Sequence, residues 1–128
     1  MQVDPTPADA ATRQRVLIVD DHELFRHAAR RVLSAAGFDV LADAADAAGG
    51  LRLARELCPD VVLLDVQLPD ADGFQVAAEL AREERPPVVV LVSGRPRADY
   101  GRLVERSAAR GFIDKADLSG ARLRQVIG

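Results

Sequence analysis

Val16-Leu17-Ile18-Val19-Asp20-Asp21 and Val61-Val62-Leu63-Leu64-Asp65 are the two stretches on which the reading of this chain turns. Each is an unbroken apolar run that stops at carboxylates. A short run of this kind, rich in β-branched residues and without polar alternation, suits a strand covered on both faces, as in parallel sheets. If the two runs are neighbouring strands, Asp20, Asp21 and Asp65 meet at the carboxyl edge of one sheet, where open α/β sheets place their ligands. Three like charges packed together cannot all stay ionised unless a cation joins them. Carboxylate and carbonyl oxygens with room for water suit a hard divalent ion such as Mg²⁺. The first expectation is therefore a small acidic Mg²⁺ site on a parallel sheet.

Outward from these runs the chain alternates strands and helices. Residues 1–14 hold Pro5, Pro7 and several alanines without an apolar period, and are expected to form a disordered leader. Residues 15–128 are expected to form one domain. Strands are expected at 15–20, 38–42, 61–65, 88–92 and 111–113. Helical spacing of Phe25, Ala28, Ala29, Val32, Leu33 and Ala36, closed by Gly37, gives the first helix. Further helices are expected at 46–57, 74–84, 95–109 and 118–128. Gly49-Gly50 costs roughly 1 kcal/mol per glycine relative to alanine, so the first turn of the second helix is expected to fray. Tyr100, Leu103, Val104 and Ala108 lie on one side of the fourth. Five strand–helix units in 128 residues predict a doubly wound, flavodoxin-like α/β fold with five parallel strands in the order 2-1-3-4-5 and five helices. In that order Asp20, Asp21 and Asp65 converge, and Ser93 and Lys115 end strands four and five on the same edge.

Composition narrows the class. An apolar share of 48% with 29% charged residues is ordinary for a globular domain. No stretch reaches the roughly 18 apolar residues of a membrane span, and the N-terminus lacks a signal-peptide pattern. The single cysteine, Cys58, forms no internal disulfide, fits a cytoplasmic location, and is expected to be a packed thiol at a helix end. Residues 1–94 carry 9 basic and 16 acidic residues, whereas residues 95–128 carry 8 basic and 4 acidic. The basic end is either a solvated surface or a partner-binding face, and is too short and mixed to argue for nucleic acid by itself. Of 17 basic residues only Lys115 is lysine. That is either an accident of an arginine-rich chain or a place where a compact point charge is needed.

Three acids, a hydroxyl and an ammonium are the parts of a phosphoryl-binding cage. The cations neutralise phosphoryl oxygens, the hydroxyl donates to one of them, and one carboxylate is left to attack phosphorus. No glycine-rich phosphate loop is present. With these residues in view, the chain resembles the receiver domain of a two-component response regulator and is similar to the chemotaxis receivers. The resemblance rests on Val-Asp-Asp at 19–21, Leu-Leu-Asp at 63–65, Leu-Pro-Asp at 68–70 with Asp72-Gly73, Val-Ser-Gly at 92–94 and Gly-Phe-Ile-Asp-Lys at 111–115. It implies that Asp65 is the phosphoacceptor, charged by a sensor histidine kinase. It implies Mg²⁺ held by Asp20, Asp21, Asp65 and the backbone carbonyl of Gln67. It implies that Ser93 and Lys115 grip the phosphoryl oxygens and that Ser93 and Phe112 form the switch. The face of helix four, strand five and helix five would then carry the change to a partner, a second copy of the chain among them. On this reading the chain is a signalling phosphoacceptor and not an enzyme acting on a separate substrate.

The sequence departs from the family pattern in places. Ala116 follows the lysine where proline is frequent, which resembles the branch with helix-turn-helix output. DNA contact would then belong to an output domain absent from this chain. Phe112 brings no hydroxyl to the switch, and simple core filling is its rival role. Gln67 and Arg95 stand where phosphate lifetime is tuned. A phosphatase of the haloacid-dehalogenase type also uses an aspartyl phosphate, but its second acid is here Gln67, so a proton donor is missing. A receiver that binds partners without phosphorylation is the third reading. His22, Glu23 and His27 do not make a zinc-protease motif, and both histidines are expected on the helix surface or as caps.

Overall fold

The structure is a computed structural model that describes residues 13–128; most of the expected leader lies outside these residues. Five strands, β1 (Arg15–Val19), β2 (Asp39–Ala44), β3 (Val61–Asp65), β4 (Val88–Ser93) and β5 (Gly111–Asp114), form one sheet. All the pairings are parallel and the order is β2-β1-β3-β4-β5, as the alternation predicts. The helices are α1 (Glu23–Ala35), α2 (Ala47–Leu57), α3 (Gly73–Leu80), α4 (Leu103–Arg106) and α5 (Gly120–Ile127).

Because side chains alternate along a strand, each central strand feeds two cores. Val16, Ile18, Val61, Leu63, Val90, Val92 and Ile113 pack with Leu33 of α1 and Leu123 of α5. Leu17, Val19, Val62, Leu64, Leu91 and Phe112 pack with Ala54 of α2, Leu80 of α3 and Val104 of α4. Burial on both faces is why β1, β3 and β4 read as continuous apolar runs. It also leaves the strand ends as the place where polar groups reach solvent.

Three expectations need correction. The helix expected over 95–109 is broken: Arg97–Tyr100 is a 3₁₀ turn, Gly101 has φ of +56°, and only Leu103–Arg106 is α-helical. Pro96 brings no backbone N–H to this segment. Leu103, expected on the buried side, is 55% exposed. The fraying expected at Gly49-Gly50 is absent. The Asp70 carboxylate accepts hydrogen bonds from the backbone N–H of Ala47 and Ala48 (2.8 and 3.0 Å), and Asp46 accepts from Gly49 (2.7 Å). A side chain at Gly50 would meet Val19, so the glycine is what lets α2 lie close on β1. Cys58, expected to be packed, is exposed; it ends α2 in a left-handed conformation (φ 48°).

Candidate functional site

Asp20 follows β1 and is fully buried. Its backbone N–H donates to the Ala44 carbonyl (2.9 Å), and its own carbonyl accepts from the Arg26 guanidinium (2.7 Å). Its Oδ1 accepts from the backbone N–H of His22 (2.8 Å), which fixes the turn into α1. Asp21 is exposed at the same turn. Asp65 closes β3 and is 3% exposed. Its Oδ1 accepts from the backbone N–H of Gln67 (3.2 Å), while its Oδ2 is buried without a hydrogen-bond partner.

Gly73 sets the far wall. Any side chain there would collide with the Asp65 carbonyl and approach Val66 Cα at 2.9 Å. Its N–H donates to the Val66 carbonyl (2.6 Å), and Asp72 caps α3 by accepting from Gln75 (2.8 Å). Asp70 and Asp72 thus cap two helices, α2 and α3. At the end of β5, Asp114 accepts from the N–H of Ala116 (3.0 Å) and turns the chain so that Lys115 points back over the acids. The Lys115 ammonium lies 2.7 Å from Asp20 Oδ2 and 3.6 Å from Asp65 Oδ2. The first contact is an ion pair without hydrogen-bond geometry.

Asp21, Asp65, Gln67, Ser93 and Lys115 line one open cavity of about 540 Å³, and Asp20 is fully buried behind Lys115. Burial and then the negative charge of Asp20 push the Asp65 carboxyl up to about 6, against a pull downward from the Gln67 N–H and the Lys115 ammonium. Such a carboxylate is costly to ionise without a further cation. The donor set fits one: carboxylate oxygens of Asp20, Asp21 and Asp65 come within 4.8 Å of one another, and Oδ2 of Asp20 and Oδ2 of Asp65 are both buried without a hydrogen-bond partner. That is oxygen chemistry of the kind Mg²⁺ takes.

Two residues to which sequence reasoning gave no part in the site belong to it. His22, expected as a surface or capping residue, stands at the N-cap of α1 without capping it by its side chain. Its Nδ1 lies 3.0 Å from Asp20 Oδ1 and 3.2 Å from Asp21 Oδ1. Its place directly after the acid pair was the available signal. Tyr100, expected as a core residue of a long helix, reaches Ser93 with its hydroxyl (Oγ to OH, 2.6 Å). Ser93 Oγ also accepts from the N–H of Arg95 (3.0 Å). The Tyr100 ring packs on Phe112 (centroids 5.9 Å apart) and Phe74 (6.0 Å), and Phe112 is itself buried. Phe112 has no hydroxyl, and Tyr100 supplies one from a different element.

This fold and this carboxyl-edge cavity are those of a receiver domain. The family model for the response regulator receiver domain matches residues 16–127, and the chain belongs to that family. It is 37% identical over 101 residues to BvgA of Bordetella pertussis, named as a transcription regulator of virulence factors, covering 79% of this chain and 48% of that protein. It is 37% identical over 108 residues to the transcriptional regulatory protein PdtaR of Mycobacterium tuberculosis, covering 84% and 51%. The chain thus spans about half the length of these relatives. Among solved structures it resembles the signal receiver domain of NarL from Mycobacterium tuberculosis, with TM-score 0.79, 35% identity, and 91% and 98% of the two chains covered. A LuxR-family two-component response regulator from Aurantimonas gives TM-score 0.79 at 28% identity, covering 91% and 83%. No helix of the described residues is long and apolar enough to cross a membrane.

Proposed function

We propose that Asp65 accepts a phosphoryl group from the phosphohistidine of a sensor histidine kinase, and that this acyl phosphate switches the face formed by residues 97–106, β5 and α5. One observation carries the reading. The Asp65 Oδ2 is buried at the floor of the cavity without a hydrogen-bond partner, and an ammonium waits 3.6 Å away. In the transfer an Asp65 oxygen attacks phosphorus, the phosphorus–nitrogen bond breaks, and its electron pair stays on the donor imidazole. Lys115 leaves Asp20 for the phosphoryl oxygens. Asp20, Asp21, Asp65 and the Gln67 carbonyl would hold Mg²⁺, which would supply charge neutralisation at those oxygens.

Ser93 connects the chemistry to the surface. Its hydroxyl cannot keep its short bond to Tyr100 and also turn to the phosphoryl group. When it turns, Tyr100 loses its partner and the Tyr100–Phe112 stack is free to repack. The broken segment 97–106 is the element this releases. Its arginines, with those of α5, give the switched face a basic character suited to an acidic partner surface, a second copy of the chain included. Any DNA contact would belong to a part of the protein outside this receiver fold, a reading supported by relatives named as transcription regulators of whose length this chain spans about half. The cytoplasm, where kinase and DNA are both reached, is the compartment this function requires.

The test is an NMR titration of the protein with beryllofluoride and Mg²⁺. Shifts centred on residues 20–21, 65–67, 93–94 and 115, spreading to Tyr100 and Phe112 and absent in Asp65→Asn, are expected. No shifts at saturating Mg²⁺ would remove the proposal.

A further inference from the structure

His22 has no task in the phosphoryl chemistry, yet its imidazole stands inside the carboxylate cluster. Its position is imposed by the backbone: the His22 N–H is tied to Asp20 Oδ1 at 2.8 Å and the residue starts α1 with φ −88° and ψ 105°. Four atoms converge there, Nδ1 and one oxygen each of Asp20, Asp21 and Asp65, all within 4.8 Å of one another.

Two of the separations match the edge of a coordination shell. Bonds of about 2.1 Å in an octahedron put adjacent ligand atoms about 3.0 Å apart and opposite ones about 4.2 Å. Nδ1 lies 3.0 Å from Asp20 Oδ1 and 3.2 Å from Asp21 Oδ1, which are two such edges. Its 3.7 Å to Asp65 Oδ2 lies between edge and diagonal. That Asp65 oxygen is the buried, partnerless one of a residue that lines the same cavity.

Two groups compete for Nδ1. With a proton there, the ring donates to Asp20 Oδ1 at 3.0 Å but meets the Lys115 ammonium 3.2 Å away, donor against donor. With the lone pair there, the ring accepts from Lys115 and faces the carboxylate oxygens instead. A cation shared by the nitrogen and the oxygens would replace both arrangements and leave Lys115 free for another anion.

We propose that His22 Nδ1 is a ligand of the divalent cation at this site, and that the mixed nitrogen–oxygen set favours first-row transition ions over Mg²⁺. Imidazole is a borderline donor that adds little to binding of a hard, oxygen-seeking ion but strengthens binding from Mn²⁺ onward. The inference rests on the reading of the acids as a divalent-cation site.

The test compares the wild-type chain with His22→Ala, which removes a side chain 66% exposed to solvent and leaves both cores intact. Mn²⁺ binding is followed by loss of the free-ion EPR signal, Mg²⁺ binding by displacement of Mn²⁺, and Asp20→Asn locates the ion. Pulsed EPR on bound Mn²⁺ is expected to show a ¹⁴N coupling that disappears in His22→Ala. The Mn²⁺ dissociation constant is expected to rise about tenfold in that variant, and the Mg²⁺ constant by clearly less. Mn²⁺ bound in an Asp20-dependent way without a nitrogen coupling would overturn the inference and leave the acidic site standing. Tighter Mn²⁺ binding by His22→Ala would show the ring excluding the ion, and would also overturn it. Failure of wild-type protein to bind either ion would remove the site reading itself, and the inference with it.

Discussion

Asp65 is the residue on which folding and function make opposite demands. Its carboxyl is raised from 3.8 to about 6, first by burial and then by the charge of Asp20. The folded state therefore holds this proton where the unfolded chain has released it. The cost of burying the charge is absent below about pH 4, grows through the window between the two values, and is complete above about 6. Because the site is open to solvent on one side, that cost is on the order of 1–3 kcal/mol. Asp65→Asn is expected to be more stable than wild type in metal-free buffer, by a margin that widens from pH 4 to pH 7. Urea midpoints across this range test it, and parallel profiles would contradict the charge argument. Millimolar Mg²⁺ is expected to close the gap from the wild-type side.

Tyr100 offers a second test at the same scale. It is the only tyrosine in a chain without tryptophan, so intrinsic emission reports on it alone. Its hydroxyl lies 2.6 Å from Ser93 Oγ, and release of that contact by beryllofluoride and Mg²⁺ is expected to change the emission. Asp65→Asn and Ser93→Ala are expected to abolish the change. An unchanged signal from protein whose Asp65 is shown by NMR to be occupied would disconnect Tyr100 from the switch. These two residues also mark where the sequence stops being informative. Asp20, Asp21, Asp65, Ser93 and Lys115 were legible because each ends or follows a strand, and strand ends share an edge. His22 and Tyr100 depend on the path of a turn and of an irregular segment, which no periodicity encodes.

At the level of elements, close backbone approaches position the site as much as the strands do. Gly73 presses the start of α3 onto the Asp65–Val66 backbone, leaving no room for a Cβ. Gly73→Ala is expected to cost about 1–3 kcal/mol by overpacking and to weaken phosphorylation through displacement of Asp65. Thermal melts together with acetyl phosphate labelling separate the two effects; a variant of wild-type stability and labelling would contradict the contact. Asp70 ties the loop after β3 to the first turn of α2, and its two backbone N–H partners hold its carboxyl below the usual range. A lowered folded value means stability that is present at neutral pH and lost as pH falls through it. Asp70→Ala is accordingly expected to melt earlier at pH 7, with the difference shrinking in acid. The glycine pair at 49–50 looked like a weakness because the sequence does not reveal a cap supplied from more than twenty residues away. The segment 95–109 looked like one helix because Tyr100, Leu103, Val104 and Ala108 have helical spacing. Gly101 at φ +56° instead ends one turn and starts another, which turns Leu103 outward.

On the proposed function, the whole molecule divides into a phosphoryl-accepting rim at the carboxyl ends of β1, β3, β4 and β5 and a switched face that β5 shares with its flanking segments. The doubly wound order makes this division, since β1 and β3 become neighbours and β5 lies at an edge. Charge follows the same line: acids gather at residues 1–94 and the basic excess falls at residues 95–128. The most direct measurement is mass spectrometry with peptide mapping after treatment with acetyl phosphate, with and without Mg²⁺. One phosphoryl group on Asp65, dependent on Mg²⁺ and absent in Asp65→Asn, is the expected result. An unmodified chain at saturating donor and metal, or a phosphoryl group carried by another residue, would contradict it.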